Sequence, residues 1–207
     1  MPLRWRLPAL CACLRHFLER PLGRAQDPRR KGGGKSSKGS KGGRESENGS
    51  VRWSDPAARI VVFFSCRDSA EFHHRLLKAV WPQLLADSRA LSRGGTGGSE
   101  DPARIAALPQ LLLLHGGAST AERRAAVEAL RVAPRACLIT TDVAARGLDL
   151  PGVDVIVQAD APHDPEDYVH RAGRTARGGR HGRALLLLAP HEAPFGVYLR
   201  SRGLKLG

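Results

Sequence analysis

Cys137-Leu138-Ile139-Thr140-Thr141-Asp142-Val143-Ala144-Ala145-Arg146-Gly147-Leu148-Asp149 is the stretch from which the fold is read. It opens as a short apolar run, Cys137 to Thr141, too brief for a helix and suited to a buried strand. It then passes at once into a carboxylate, a guanidinium and a glycine. Strands buried on both faces belong to parallel sheets, and ligands gather beyond the carboxyl ends of such strands. The pattern recurs along the chain. Ile60-Val61-Val62-Phe63-Phe64 leads into Ser65, Leu111 to Leu114 into His115-Gly116-Gly117, and Val153 to Gln158 into Asp160-Ala161-Pro162. Ala184 to Leu188 is a fifth strand. Between them, Asp68 to Val80 carries Ala70, Phe72, Leu76, Leu77 and Val80 at helical spacing. Thr120 to Arg131 is a helix capped by Ser119 or Thr120, and Pro165 to Ala172 and His191 to Arg200 are further helices. Alternating strands and helices predict an α/β fold, a parallel sheet with helices on both faces.

A second polar stretch, Tyr168-Val169-His170-Arg171-Ala172-Gly173-Arg174-Thr175-Ala176-Arg177, places three arginines at intervals of three beside a histidine. Arginine is always charged, planar and forked, which suits it to phosphoryl groups. On its own an Arg at every third position reads as a solvated helix face, although Gly173 is out of place in one. Singly, Asp149 reads as a turn residue, Thr141-Asp142 as a helix cap, and Phe63 and Phe64 as core. The joint reading rests on their order and their placement at strand ends.

Charge is uneven. The 207 residues carry a net charge of +13. Residues 1–50 hold 12 Lys and Arg against 4 Asp and Glu, so most of the excess lies there. Such an arm favours polyanions through counterion release, without sequence preference, and is equally read as a solvated linker. From Arg29 to Ser50 it is Gly, Ser, Lys and Arg with almost no apolar residue, too little to offset the entropy of ordering. Residues 1–50 are therefore expected to form a basic, low-complexity, largely disordered arm, with the folded domain over 51–207. Within residues 1–20, Leu7, Leu10, Leu14 and Leu18 also fit an amphipathic organelle-targeting helix. Residues 81–109, with Pro82, Gly94, Gly95, Gly97, Gly98, Pro102 and Pro109, read as an inserted loop. Gly34-Lys35-Ser36 is not a phosphate loop, since Arg29 stands where its first glycine would fall. Cys11, Cys13, Cys66 and Cys137 have no metal-ligand spacing, and no metal site is expected. So few cysteines fit a reducing compartment. No apolar run approaches the length of a membrane span.

Residues 60–200 resemble the C-terminal RecA-like domain of the DEAD-box RNA helicases. The resemblance rests on Phe63-Phe64-Ser65-Cys66, on His115-Gly116 followed by Glu122-Arg123, on Thr141 to Asp149 and on Tyr168 to Arg177. Thr120 stands where that family usually has Gln. Leu114-His115-Gly116-Gly117, Leu188-Ala189-Pro190 and the insertion look most like the subgroup that assembles the large ribosomal subunit in the nucleolus.

The resemblance implies roles by position. Arg174 and Arg177 match arginine fingers on the phosphates of ATP, whose Mg ligands and general base lie in the N-terminal helicase domain; such fingers are worth ~10³–10⁵ in rate. Asp149 matches the carboxylate that takes a ribose hydroxyl, and Gly147 lies in the same ATP-facing motif. His170 and Arg146 match residues coupled to the partner domain's acidic motif. Ser65, Gly116, Arg123, Thr141 and Gly147 match RNA backbone contacts, which need donors aimed at phosphates rather than readers of base edges. The implied partners are RNA, ribosomal precursor RNA in that subgroup, and the N-terminal domain, with the chain itself monomeric. A chain with neither phosphate loop nor acidic tetrad is expected to be inactive alone. Two other readings stand beside this one: a non-catalytic RNA- or protein-binding module, and a nucleic-acid translocase of another superfamily, such as a DNA motor.

Overall fold

In the computed structural model, residues 3–18, 59–85, 108–150, 152–177 and 181–206 are described. Helix α1 (Leu3–Leu18) precedes strand β1 (Arg59–Phe64) and helix α2 (Arg67–Leu84). Next come β2 (Gln110–Leu114), α3 (Thr120–Val132), β3 (Ala136–Thr141) and the short α4 (Asp142–Ala145). β4 (Val155–Gln158), α5 (Pro165–Ala172), β5 (Arg183–Leu186), a 3₁₀ turn (Pro190–Glu192) and α6 (Ala193–Ser201) complete the order. The strands form one sheet, β2-β3-β1-β4-β5, and every pairing in it is parallel.

β1, β3 and β4 are central and buried on both faces, which explains their unbroken apolar sequence. Side chains alternate between faces. Ile60, Val62, Phe64, Cys137, Ile139, Val155 and Val157 face α1 and α2, whereas Val61, Phe63, Leu138 and Ile156 face α3 and α4. Register leaves the strand ends flush: Phe64 pairs with Thr141, and Phe63 pairs with both Thr140 and Gln158. The polar residues that follow therefore emerge at one end of the sheet.

The α/β expectation holds, with differences of physical origin. α2 runs past Val80 through Pro82 to Leu84. Pro82 gives up the amide hydrogen bond that a residue in the last turn would make to Lys78, and the Trp81 indole, which donates to the Pro109 carbonyl at 2.7 Å, pins that turn. The rest of the expected insertion, 86–107, lies outside the described residues. Val153 falls outside β4, because it forms an isolated bridge with Thr175 instead. The last expected helix divides into the 3₁₀ turn and α6.

The largest difference concerns the expected disordered arm. Leu3–Leu18 is a helix, and its Leu10, Leu14, Phe17 and Leu18 are buried against the α2 face of the sheet. The Arg183 guanidinium lies 4.7 Å from the Phe17 ring centroid. Arg6 pairs with Asp160 at 2.6 Å and with Glu192. The amphipathic spacing is used for packing on the chain's own core. Residues 19–50 lie outside the described residues. Among the described residues no helix is long and apolar enough to cross a membrane, and no group of three or more His, Cys, Asp or Glu is placed to hold a metal ion.

Candidate functional site

The carboxyl end of the sheet is organised by a residue with no role in the sequence reading. Arg171, on α5, has a side chain only 3% exposed. Its Nε and Nη2 donate to the two Asp142 carboxylate oxygens at 2.7 and 2.6 Å. Its Nη1 donates to the Asp160 carbonyl at 2.9 Å, and the guanidinium lies 5.6 Å from the Phe63 ring centroid. One side chain thus ties together α5, the β3–α4 junction and the ends of β4 and β1. The fork matches the carboxylate geometrically, which makes the joint directional as well as strong. Asp160 extends it: its carboxylate accepts from the Ser65 amide at 3.0 Å and from Arg6.

This joint places two polar stretches side by side. Past the end of α5, Arg174 Nη1 donates to the Leu148 carbonyl at 2.9 Å. Leu148 follows Gly147, whose φ of +75° lies in the left-handed region where glycine is free of strain. Burial pushes the Arg174 guanidinium pKa down, the Arg177 charge adds to that, and Asp149 opposes both. Arginine nevertheless stays charged. Arg177 Nε donates to the Gly173 carbonyl at 2.8 Å, and its Nη1 lies 3.6 Å from the Asp149 carboxylate. Asp149 has a side chain 90% exposed. Arg146 Nη2 pairs with Asp167 at 2.9 Å, and His170, Arg146, Asp167 and Arg174 border one shallow depression. The structure therefore brings His170, Arg146, Gly147, Asp149, Arg174 and Arg177 to one end of the sheet. Arg174 is held by a carbonyl and not by a carboxylate. Among the described residues no carboxylate forms a direct ion pair with it, an arrangement that fits a polyanion such as a nucleotide phosphate chain.

Ser65, Gly116, Arg123 and Thr141 form a neighbouring group. A β-carbon on Gly116 would stand 3.1 Å from Val143 Cγ1, so loop and α4 approach closely there. Arg123 donates to the Ala118 and Gly116 carbonyls, each at 3.2 Å, and braces the loop against α3. The α3 start is a reciprocal cap, with Ser119 accepting from the Glu122 amide and Glu122 from the Ser119 amide. That hydrogen bonding lowers the Glu122 pKa. Thr141 is 4% exposed, so little of it reaches solvent, whereas Ser65 is exposed. His115 Nδ1 accepts from the Gly117 amide at 3.2 Å, which leaves Nε2 facing Glu71 at 3.3 Å. Glu71 also holds Arg67, and the pair draws its carboxyl pKa below the usual range.

Sequence reasoning missed Arg171, Asp142 and Asp160 as the joint of this end. A signal existed. Asp142 stands directly after a strand, and Arg171 is the first of the three spaced arginines.

Residues 108–179 match the family described as helicase conserved C-terminal domain. Human ATP-dependent DNA helicase DDX31 is 45% identical over 137 residues, which cover 66% of this chain and 15% of that protein. ATP-dependent RNA helicase dbp7 of Schizosaccharomyces pombe is 37% identical over 150 residues, 69% of this chain and 21% of that protein. The chain thus spans about a fifth or less of the length of these curated relatives. Among solved structures, the E. coli DEAD-box protein SrmB, crystallised with regulator of ribonuclease activity A, superposes with a TM-score of 0.53 at 27% identity, covering 72% of this chain and 71% of that one. Domain 2 of the DEAD-box helicase Mss116p, bound to an RNA duplex, gives 0.53 at 25% identity over 70% of this chain and 47% of that one.

Proposed function

We propose that this chain, whose folded part is a C-terminal RecA-like domain of the DEAD-box helicases, serves as the second half of an ATP-dependent RNA helicase. In this reading Arg174 and Arg177 face the phosphates of an ATP carried with Mg by an N-terminal helicase domain. Asp149 takes a ribose hydroxyl, and His170 and Arg146 couple the two domains. Ser65, Gly116, Arg123, Thr141 and Gly147 hold the RNA backbone. The observation that carries the proposal is the Arg171–Asp142 joint, which fixes the finger-bearing stretch against the Thr141–Asp149 stretch. ATP with its metal supplies the transferable phosphoryl group. The chain's own residues supply fixed positive charge where that group gains negative charge, and donors that need no reorganisation. In this reading the partner RNA is a ribosomal precursor and the protein acts as a monomer in the nucleolus; the resemblance of Leu114-His115-Gly116-Gly117 and Leu188-Ala189-Pro190 to the ribosome-assembly subgroup supports it.

The test joins this chain to the N-terminal domain of a DEAD-box helicase and measures RNA-stimulated ATP turnover. Arg174→Lys should lower turnover by orders of magnitude, because lysine offers a point charge in place of a fork. The chain alone should show no turnover. Turnover in the fusion that ignores Arg174→Lys would refute the finger assignment. Stimulation by single-stranded DNA as strong as by RNA would favour the DNA motor.

A further inference from the structure

The sheet has an edge strand outside the site described above. Among the described residues, β5 ends the strand order and pairs only with β4. In that pairing the Arg183 and Leu187 amides donate to the Asp154 and Gln158 carbonyls at 3.0 and 2.9 Å. Backbone groups alternate sides along a strand in a parallel ladder. Ala184, Leu186 and Leu188 therefore turn their amides and carbonyls away from β4. Beside this edge a groove of about 960 Å³ runs between 184–188 and α6, floored by Leu186, Leu188, Ala193 and Val197. Val197 is 65% exposed. Gly196 borders the groove, where a β-carbon would stand 3.4 Å from Leu188 Cδ1. Arg200 and Lys205 line it as basic side chains, and among the described residues no acidic side chain does.

We propose that this groove binds an extended segment of a partner protein that alternates apolar and acidic residues and adds to β5 as a sixth strand. Unpaired edge backbone supplies affinity in such additions, and alternate side-chain pockets supply specificity. The basic rim selects the acid. It also argues against the chain's own occupants: a second copy brings a net charge of +13, and residues 19–50 hold nine Lys and Arg against four Asp and Glu.

The experiment uses the full chain and fluorescent peptides of alternating valine and glutamate, with a valine–lysine peptide as control. The acidic peptide should bind at least about tenfold more tightly, a difference of roughly 1.4 kcal/mol, and should protect the Ala184, Leu186 and Leu188 amides from exchange. Leu186→Pro should abolish binding while keeping the melting temperature, because proline is tolerated where an edge amide faces outward. Val197→Asp, on the helix side of the groove, should weaken binding without touching the sheet. Arg200→Glu with Lys205→Glu should reverse the preference between peptides. Equal affinity for both peptides, or unprotected edge amides, would overturn the proposal. So would protection already present in the free chain, or a concentration-dependent dimer that blocks the groove.

Discussion

Three arginines at equal spacing have three different fates. Arg171 is buried in a bidentate pair, Arg174 is half-buried on a carbonyl, and Arg177 is exposed beside Asp149. The distinction predicts opposite mutational behaviour. Arg171→Ala leaves Asp142 without its partner, and breaking such a pair costs about 3 kcal/mol. Thermal melting should show a drop of several degrees. Arg174→Lys forfeits one carbonyl hydrogen bond and should shift stability by about 1 kcal/mol or less. Equal losses for the two variants would mean that the joint carries no special weight. Little of this difference was legible beforehand. Identical residues at a regular interval carry no mark of which one turns inward. Only Gly173, which ends α5 after Ala172, puts Arg174 and Arg177 on a different backbone path from Arg171.

Strands were legible and the first helix was misjudged. The central strands announced themselves because burial on both faces demands unbroken apolar runs, as in Ile60 to Phe64. Leu10, Leu14, Phe17 and Leu18 carried an equally clear helical spacing, but the basic, glycine-rich sequence after them set the reading of the whole arm. The consequence is measurable. Leu14 is fully buried, and Leu14→Ala should cost about 2–5 kcal/mol through lost burial and the cavity left. An unchanged melting temperature would show that α1 does not dock. The docking also has an acid limb. Burial alone would push the Glu192 carboxyl pKa up, but hydrogen bonds from Arg6 and the Ala189 amide, with the Arg6 charge, bring it below the ordinary value. A lowered carboxyl stabilises the fold above the ordinary carboxylate range and loses that contribution as acidification protonates it in place. Wild type should therefore exceed Glu192→Gln in melting temperature at neutral pH, and the gap should close towards pH ~3. A gap independent of pH would exclude the charge contribution.

For the whole molecule, the charge is unevenly spread along the chain. Residues 19–50 carry nine Lys and Arg against four Asp and Glu. If that stretch meets RNA, exchanging its basic residues for Gly and Ser should flatten the salt dependence of binding, at about 0.7 in slope per phosphate neutralised. An unchanged slope would assign those contacts to the folded domain. The exchange must leave Leu3–Leu18 intact, since a deletion from residue 1 removes part of the core along with the charge. This is the practical difference between reading residues 1–50 as one arm and finding a packed helix at its start.

The docked first helix also sets a schedule for synthesis. Leu10, Leu14, Phe17 and Leu18 meet a surface that includes Val155 and Val157, and Arg6 meets Asp160 and Glu192. Those partners are translated long after the helix. At ~5–20 residues per second, the helix waits on the order of ten seconds or more with its leucines and phenylalanine uncovered. A nascent chain in that interval is a natural client for a ribosome-associated chaperone. Its yield in a chaperone-depleted translation extract should rise when translation is quickened, because the wait shortens while the final fold stays the same.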